Sequence, residues 1–198
     1  PPWIRILVTS RPESNVLKAL GAMPERCLVA HADGAEYADE ARRDIQRYLE
    51  SRLPDATVSA VGRIVERSES RFLYVYVLLR LADKTPAVLD DPPHGIDGLY
   101  AALFSSACEG AADFTEDERK VLETMVAAKS AVHWFHELPL LSGVDAAKCG
   151  EVVQRFREVV VRREDGRVRW FHKSVRDWLV DGAAWRGVAF AVEPAKAA

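Results

Sequence analysis

The chain has 198 residues, 48% hydrophobic and 29% charged, with a formal net charge of -3. That is an ordinary globular balance, and it gives the whole chain no general pull toward nucleic acid or acidic membranes. Its three cysteines, Cys27, Cys108 and Cys149, are odd in number and lack metal-ligand spacing, so they read as free thiols of a reducing compartment.

Ile4 to Thr9 is a short apolar run of the kind buried in a parallel sheet, stopped at Ser10-Arg11-Pro12 because proline offers no ladder donor. A short helix near Ser14 to Leu20 and a second strand at Cys27 to Ala30 are predicted next. From Tyr37 the period changes. Ala41, Ile45, Tyr48, Leu49 and Leu53 recur at helical spacing, opposite a face of mixed charge, until Pro54. Val58, Val61, Ile64 and Val65 mark another helix. Phe72 to Leu81 is apolar throughout and rich in β-branched and aromatic residues, so periodicity alone leaves strand and buried helix open. Lys84 to Gly95, with Pro86, Pro92 and Pro93, reads as a connector, and Leu99 to Cys108 as a helix.

Thr115 with Glu118 three residues later is a capping box at the head of a helix that turns Val121, Leu122, Met125 and Val126 inward. Glu137 to Leu141 and Ala146 to Phe156 are two more helices, separated at Gly143. Val159 to Val161 and Val168 to Phe171 are short strands around the turn signal Asp165-Gly166. Ser174 with Asp177 reads as a second capping box, opening a last helix. Three helices followed by a hairpin is the order of a winged helix. No apolar run approaches the roughly 20 residues of a membrane span.

Several segments together resemble the NACHT-type STAND signal-transduction ATPases, an NLR-like group in which the ATPase is joined to ankyrin, WD or TPR repeats. Ile6 to Glu13 (ILVTSRPE) resembles the family's sensor-1 strand, and Asp44-Ile45 with Tyr48-Leu49 the helix after it. Phe72 to Val75 resembles the helix that begins the small lid domain, which favours helix for Phe72 to Leu81, and Gly95 to Tyr100 (GIDGLY) resembles the connector that follows. Phe171 to Leu179 (FHKSVRDWL) resembles the close of the winged-helix domain.

The resemblance implies a mainly α chain with an α/β remnant. Residues 1–35 would end a P-loop NTPase sheet, 36–112 form a helical lid, 113–192 a winged helix and 193–198 a linker. It further implies a piece of a larger cytoplasmic protein, with an upstream P-loop core in the same chain, a downstream repeat domain and assembly into a homo-oligomer. That protein would bind ATP or ADP with magnesium. No glycine–lysine phosphate loop occurs in these 198 residues, so no cofactor and no hydrolysis are expected of this stretch alone.

By resemblance, Arg11 would sense the γ-phosphate, a role suited to a permanently charged guanidinium, with Thr9 and Ser10 at the same strand end. Arg11 reads equally as a loop residue pairing with Glu13. His172 would occupy the place of the histidine that contacts the ADP phosphates in resting family members, or it only caps and packs. His133 and His136 lack a metal partner at ligand spacing and read as packing residues. Arginines from Arg155 to Arg176 crowd the winged-helix region, which keeps a nucleic-acid-binding module as the alternative, alongside a scaffold that positions flanking repeats.

Overall fold

The computed structural model describes Lys18 and residues 35–108, 114–128 and 130–180. The expected strands at Ile4 to Thr9 and Cys27 to Ala30, the short helix between them (Lys18 apart), Cys27 and the tail from Glu193 lie outside the described residues. What is described is mainly α with a small antiparallel sheet.

Helix α1 (Ala35–Arg52) buries Ile45 and Leu49, one turn apart. Its mixed-charge face is exposed and carries local pairs such as Arg47–Asp44 at 3.5 Å. Helix α2 (Val58–Arg67) is capped by the Thr57 hydroxyl, which accepts from the Ala60 N–H at 3.2 Å. It turns Val61 and Ile64 inward, while Val58, at its first position, stays exposed. Phe72–Ala82 is helix, α3, and its buried set decides the ambiguity of that segment. Tyr74, Val75, Val77, Leu78 and Leu81 fall on one broad helical face, a pattern a strand would split between two. The Tyr74 hydroxyl donates to the Pro93 carbonyl at 2.5 Å and ties α3 to the proline-rich link. Burial, opposed by the charge of Arg67, holds that phenol well above the ordinary tyrosine range.

Two boundaries differ from the sequence reading. The connector contains a 3-10 turn at Pro86–Leu89, and helix α4 (Gly95–Ala107) begins four residues before Leu99. The segment GIDGLY is therefore the first turns of a helix. Ile96 is buried there, and Asp97 sits in the first turn, where a carboxylate favours the helix dipole.

Helix α5 (Glu116–Ala127) opens with the expected capping box: the Thr115 hydroxyl accepts from the Glu118 N–H, and the Glu118 carboxylate from the Thr115 N–H. Strand β1 (Val132–His133), too short to give a periodic signal, follows it. Helix α6 (Glu137–Ser142) ends at Gly143, whose φ of 69° is the left-handed stop that glycine permits. Helix α7 (Ala146–Arg155), capped by Asp145, leads to strands β2 (Val160–Arg162) and β3 (Arg167–Trp170). Their turn closes with the Gly166 N–H on the Arg163 carbonyl. Gly166 has φ 78°, the left-handed conformation that selects glycine, and a Cβ there, 2.7 Å from His133 Nε2, would push that ring tip aside. The strand order is β1-β3-β2, all antiparallel, with Val132 opposite Val168 and Val160 opposite Trp170.

Helix α8 (Lys173–Val180) turns Val175, Trp178 and Leu179 inward. The first four helices and the later elements share one core. Phe104 of α4 stacks on Trp178 of α8 at 5.1 Å between centroids, and Phe156 lies 5.4 Å from Phe104. Phe114, just before α5, meets both Phe104 and Phe156 edge-on.

Candidate functional site

His172 stands immediately before α8, at the end of the stretch that follows β3. The Ser174 backbone N–H donates to His172 Nδ1 at 3.2 Å, so the imidazole itself satisfies one of the helix's open donors. This corrects the expected capping box: Ser174 lies inside the helix, and Asp177 is 3.9 Å from Lys173 one turn back. The Ser174 hydroxyl lies 2.7 Å from His172 Nδ1 and 2.7 Å from the hydroxyl of Tyr100 on α4.

Proton accounting orders this chain. A backbone N–H can only donate, so Nδ1 accepts and the neutral ring carries its hydrogen on Nε2. The Ser174 hydroxyl then also donates to Nδ1, and the Tyr100 phenol donates to Ser174. Burial, with the charge of Asp97 adding to it and the bond from Ser174 opposing it, leaves the Tyr100 phenol pushed up to about 12, so it keeps its proton at neutral pH. The Tyr100 ring also packs 5.3 Å from Trp178, so the same two helices share apolar and polar contact. The imidazole is thus oriented from α4, 72 residues earlier in the sequence than its own position (172 − 100). Sequence reading took Tyr100 only as a motif letter and Ser174 as a helix cap. Nothing in local spacing could pair them, since 74 residues separate them.

Of the other predicted site residues, Thr9, Ser10 and Arg11 lie outside the described residues. His133 and His136 stack on each other at 4.6 Å, and His133 Nδ1 accepts from the Phe135 N–H at 3.3 Å. No group of metal-ligating side chains occurs among the described residues, and none of the described helices is long and apolar enough to cross a membrane. Cys108 and Cys149 are buried and form no disulfide. Burial, opposed by the Ser142 hydroxyl and reinforced by the charges of Asp145 and Asp117, pushes the Cys149 thiol up and away from the reactive thiolate.

The arginine-rich stretch separates into two groups. Arg155 pairs with the buried carboxylate of Glu118, Arg157 with Glu158 at 3.1 Å, and Arg162 lies over the Trp134 ring at 4.5 Å. These are structural contacts. Arg163, Arg167, Arg169, Lys173 and Arg176 instead surround a cavity of about 450 Å³ beside β3 and α8. His172 is not among its lining residues.

A second join between α3 and the later elements centres on Glu158, which lies 2.8 Å from Lys84 and 3.7 Å from Arg80. Burial alone would raise its carboxyl. Hydrogen bonds from Lys84 and Arg157, with the charges of Lys84 and Arg80, outweigh burial and hold it below the ordinary glutamate range.

No family model, curated protein or solved structure matches this chain.

Proposed function

We propose that the chain is the closing half of a nucleotide switch: a helical lid and a winged helix that fold over a nucleotide held by an upstream P-loop core. The observation that carries this reading is the chain Tyr100–Ser174–His172. With Nδ1 engaged from within, the neutral imidazole is the Nε2-protonated tautomer, the form that can donate to a phosphate oxygen. Its partner Tyr100 sits on the helix assigned to the lid, so a phosphate contact at His172 would be felt in both parts. A switch needs contacts that differ between its nucleotide states, and a histidine oriented across two elements supplies one.

The order of one helix, a short strand, two more helices and a hairpin supports the winged-helix assignment, with α7 as the third helix and residues 163–166 as the wing tip. Arg11 remains the proposed sensor of the γ-phosphate, with Thr9 and Ser10 beside it. ATP and ADP with magnesium are the proposed cofactors of the whole protein.

The test is to purify the longest form of the protein that carries a P-loop region ahead of Pro1 and to identify nucleotide released on denaturation. ADP is expected, and His172→Ala should lower its retention by about tenfold, the loss of one charge-assisted hydrogen bond. A folded preparation that holds no nucleotide, or one whose ADP is indifferent to His172→Ala, removes the reading.

A further inference from the structure

We propose that the cavity beside β3 and α8 is a binding site for a compact oligophosphate, separate from the nucleotide contact proposed for His172. The strand period makes the site. Arg167 and Arg169 alternate with the buried Val168, so both guanidinium groups leave β3 on one face. Arg163 joins them from the turn, and Lys173 and Arg176 from the first turn of α8.

Five cations among the described residues therefore line one concavity, and none of the described lining residues is a carboxylate. Neighbouring acids neutralise little of this charge. Arg167 is 3.8 Å from Asp165, and Lys173 is 3.9 Å from Asp177, both at solvent-exposed positions. Arg163, Arg169 and Arg176 form no ion pair among the described residues. By contrast, Arg155 and Arg157 of the same stretch are each matched to a carboxylate. Like charges held around one mouth repel each other, and a bound polyanion relieves that repulsion.

The chemical class follows from the cations and from the shape. Four of the five are arginines, whose forked donors grip phosphate oxygens in pairs. A volume of about 450 Å³ is that of a small-molecule pocket. Its walls include Val132, Val168 and Trp170, and the Trp170 indole is fixed by donation to the Met125 carbonyl at 3.1 Å. Arg163, Arg167, Arg169 and Lys173 are solvent-exposed and Arg176 half-buried around this hollow, and its small-molecule size favours a compact ligand with several phosphates over a duplex backbone.

The residues named for the site all belong to the described region and the site needs no P-loop, so it stands or falls independently of the nucleotide-switch reading. The experiment is calorimetric titration of the 198-residue chain with inorganic tripolyphosphate at low salt. One site per chain is expected. The double variant Arg169→Gln/Arg176→Gln should bind at least about tenfold more weakly. Arg47→Gln/Arg63→Gln removes the same charge from α1 and α2 and should bind as the parent does. Thermal unfolding checks that each variant folds, and tripolyphosphate should raise the midpoint of the parent but not that of the cavity variant. Equal weakening in both double variants means diffuse attraction and overturns the site. Absence of heat and of any midpoint shift in the parent overturns it as well. Tight binding of duplex DNA that tripolyphosphate does not displace would overturn it in favour of nucleic acid.

Discussion

Two joins between the first four helices and the later elements are built from opposite chemistry. One is apolar and neutral: Phe104 and Tyr100 of α4 against Trp178 and Ser174 of α8. The other is charged and peripheral: Arg80 and Lys84 at the end of α3 around Glu158. The neutral join loses water from large ring surfaces and satisfies its polar atoms internally, so salt has little hold on it. The charged join balances desolvation against hydrogen bonds and Coulomb attraction, so it answers to pH and ionic strength. A protein joined in both ways has one contact that sets its stability and another that conditions can adjust.

Trp178→Ala should break the comparison at its strongest point. The ring is 5% exposed and lies against both Tyr100 and Phe104. Truncation of such a side chain costs about 3–5 kcal/mol. Urea unfolding followed by circular dichroism should show that loss as one shifted transition. Two separated transitions would mean that the two parts do not unfold as one unit through this contact.

Part of this was legible in the sequence. Thr115 with Glu118 announced the start of α5 because both halves of a capping box lie within four residues. Asp165-Gly166 announced the hairpin because the turn itself demands a left-handed residue. The segment Phe72 to Leu81 was ambiguous because it is buried on a broad face, which removes the polar positions that reveal a period. Strand β1 was missed because two residues carry no alternation, and its pairing with β3 depends on residues 34 and 36 positions away. The candidate site was half legible. His172 could be named from the motif in which it sits. Its orientation could not, because Tyr100 reaches it only through the folded core.

Ser174→Ala should sharpen the comparison at an intermediate level. It strips the Tyr100 hydroxyl and His172 Nδ1 of their shared partner, at a cost of about 1–2 kcal/mol for a polar group left unsatisfied. Tyr100→Phe together with Ser174→Ala should cost less than the two separate changes summed, which a double-mutant cycle measures. The pH dependence has a definite sign. The folded pKa of Tyr100 lies above its unfolded value of 10, so this contribution is complete below pH 10 and fades as pH rises toward about 12. Full additivity in the cycle would mean that the two hydroxyls are not coupled.

Glu158→Gln should have the smallest effect and the opposite pH response. The carboxylate is 14% exposed, Arg80 and Lys84 are about one-third exposed and Arg157 more than half, so solvent screens the pairs and about 1 kcal/mol or less is at stake. Its folded pKa is depressed, so the stabilisation is present above the unfolded value and is lost as pH falls through the folded one. Parent and variant stabilities, measured by urea unfolding, should therefore differ near neutral pH and converge in acid. Added salt should narrow the gap at neutral pH while leaving the cost of Trp178→Ala unchanged. If salt reduced both costs alike, the division into a neutral and a charged join would be wrong, and the aromatic contact would owe part of its strength to the cations around α8.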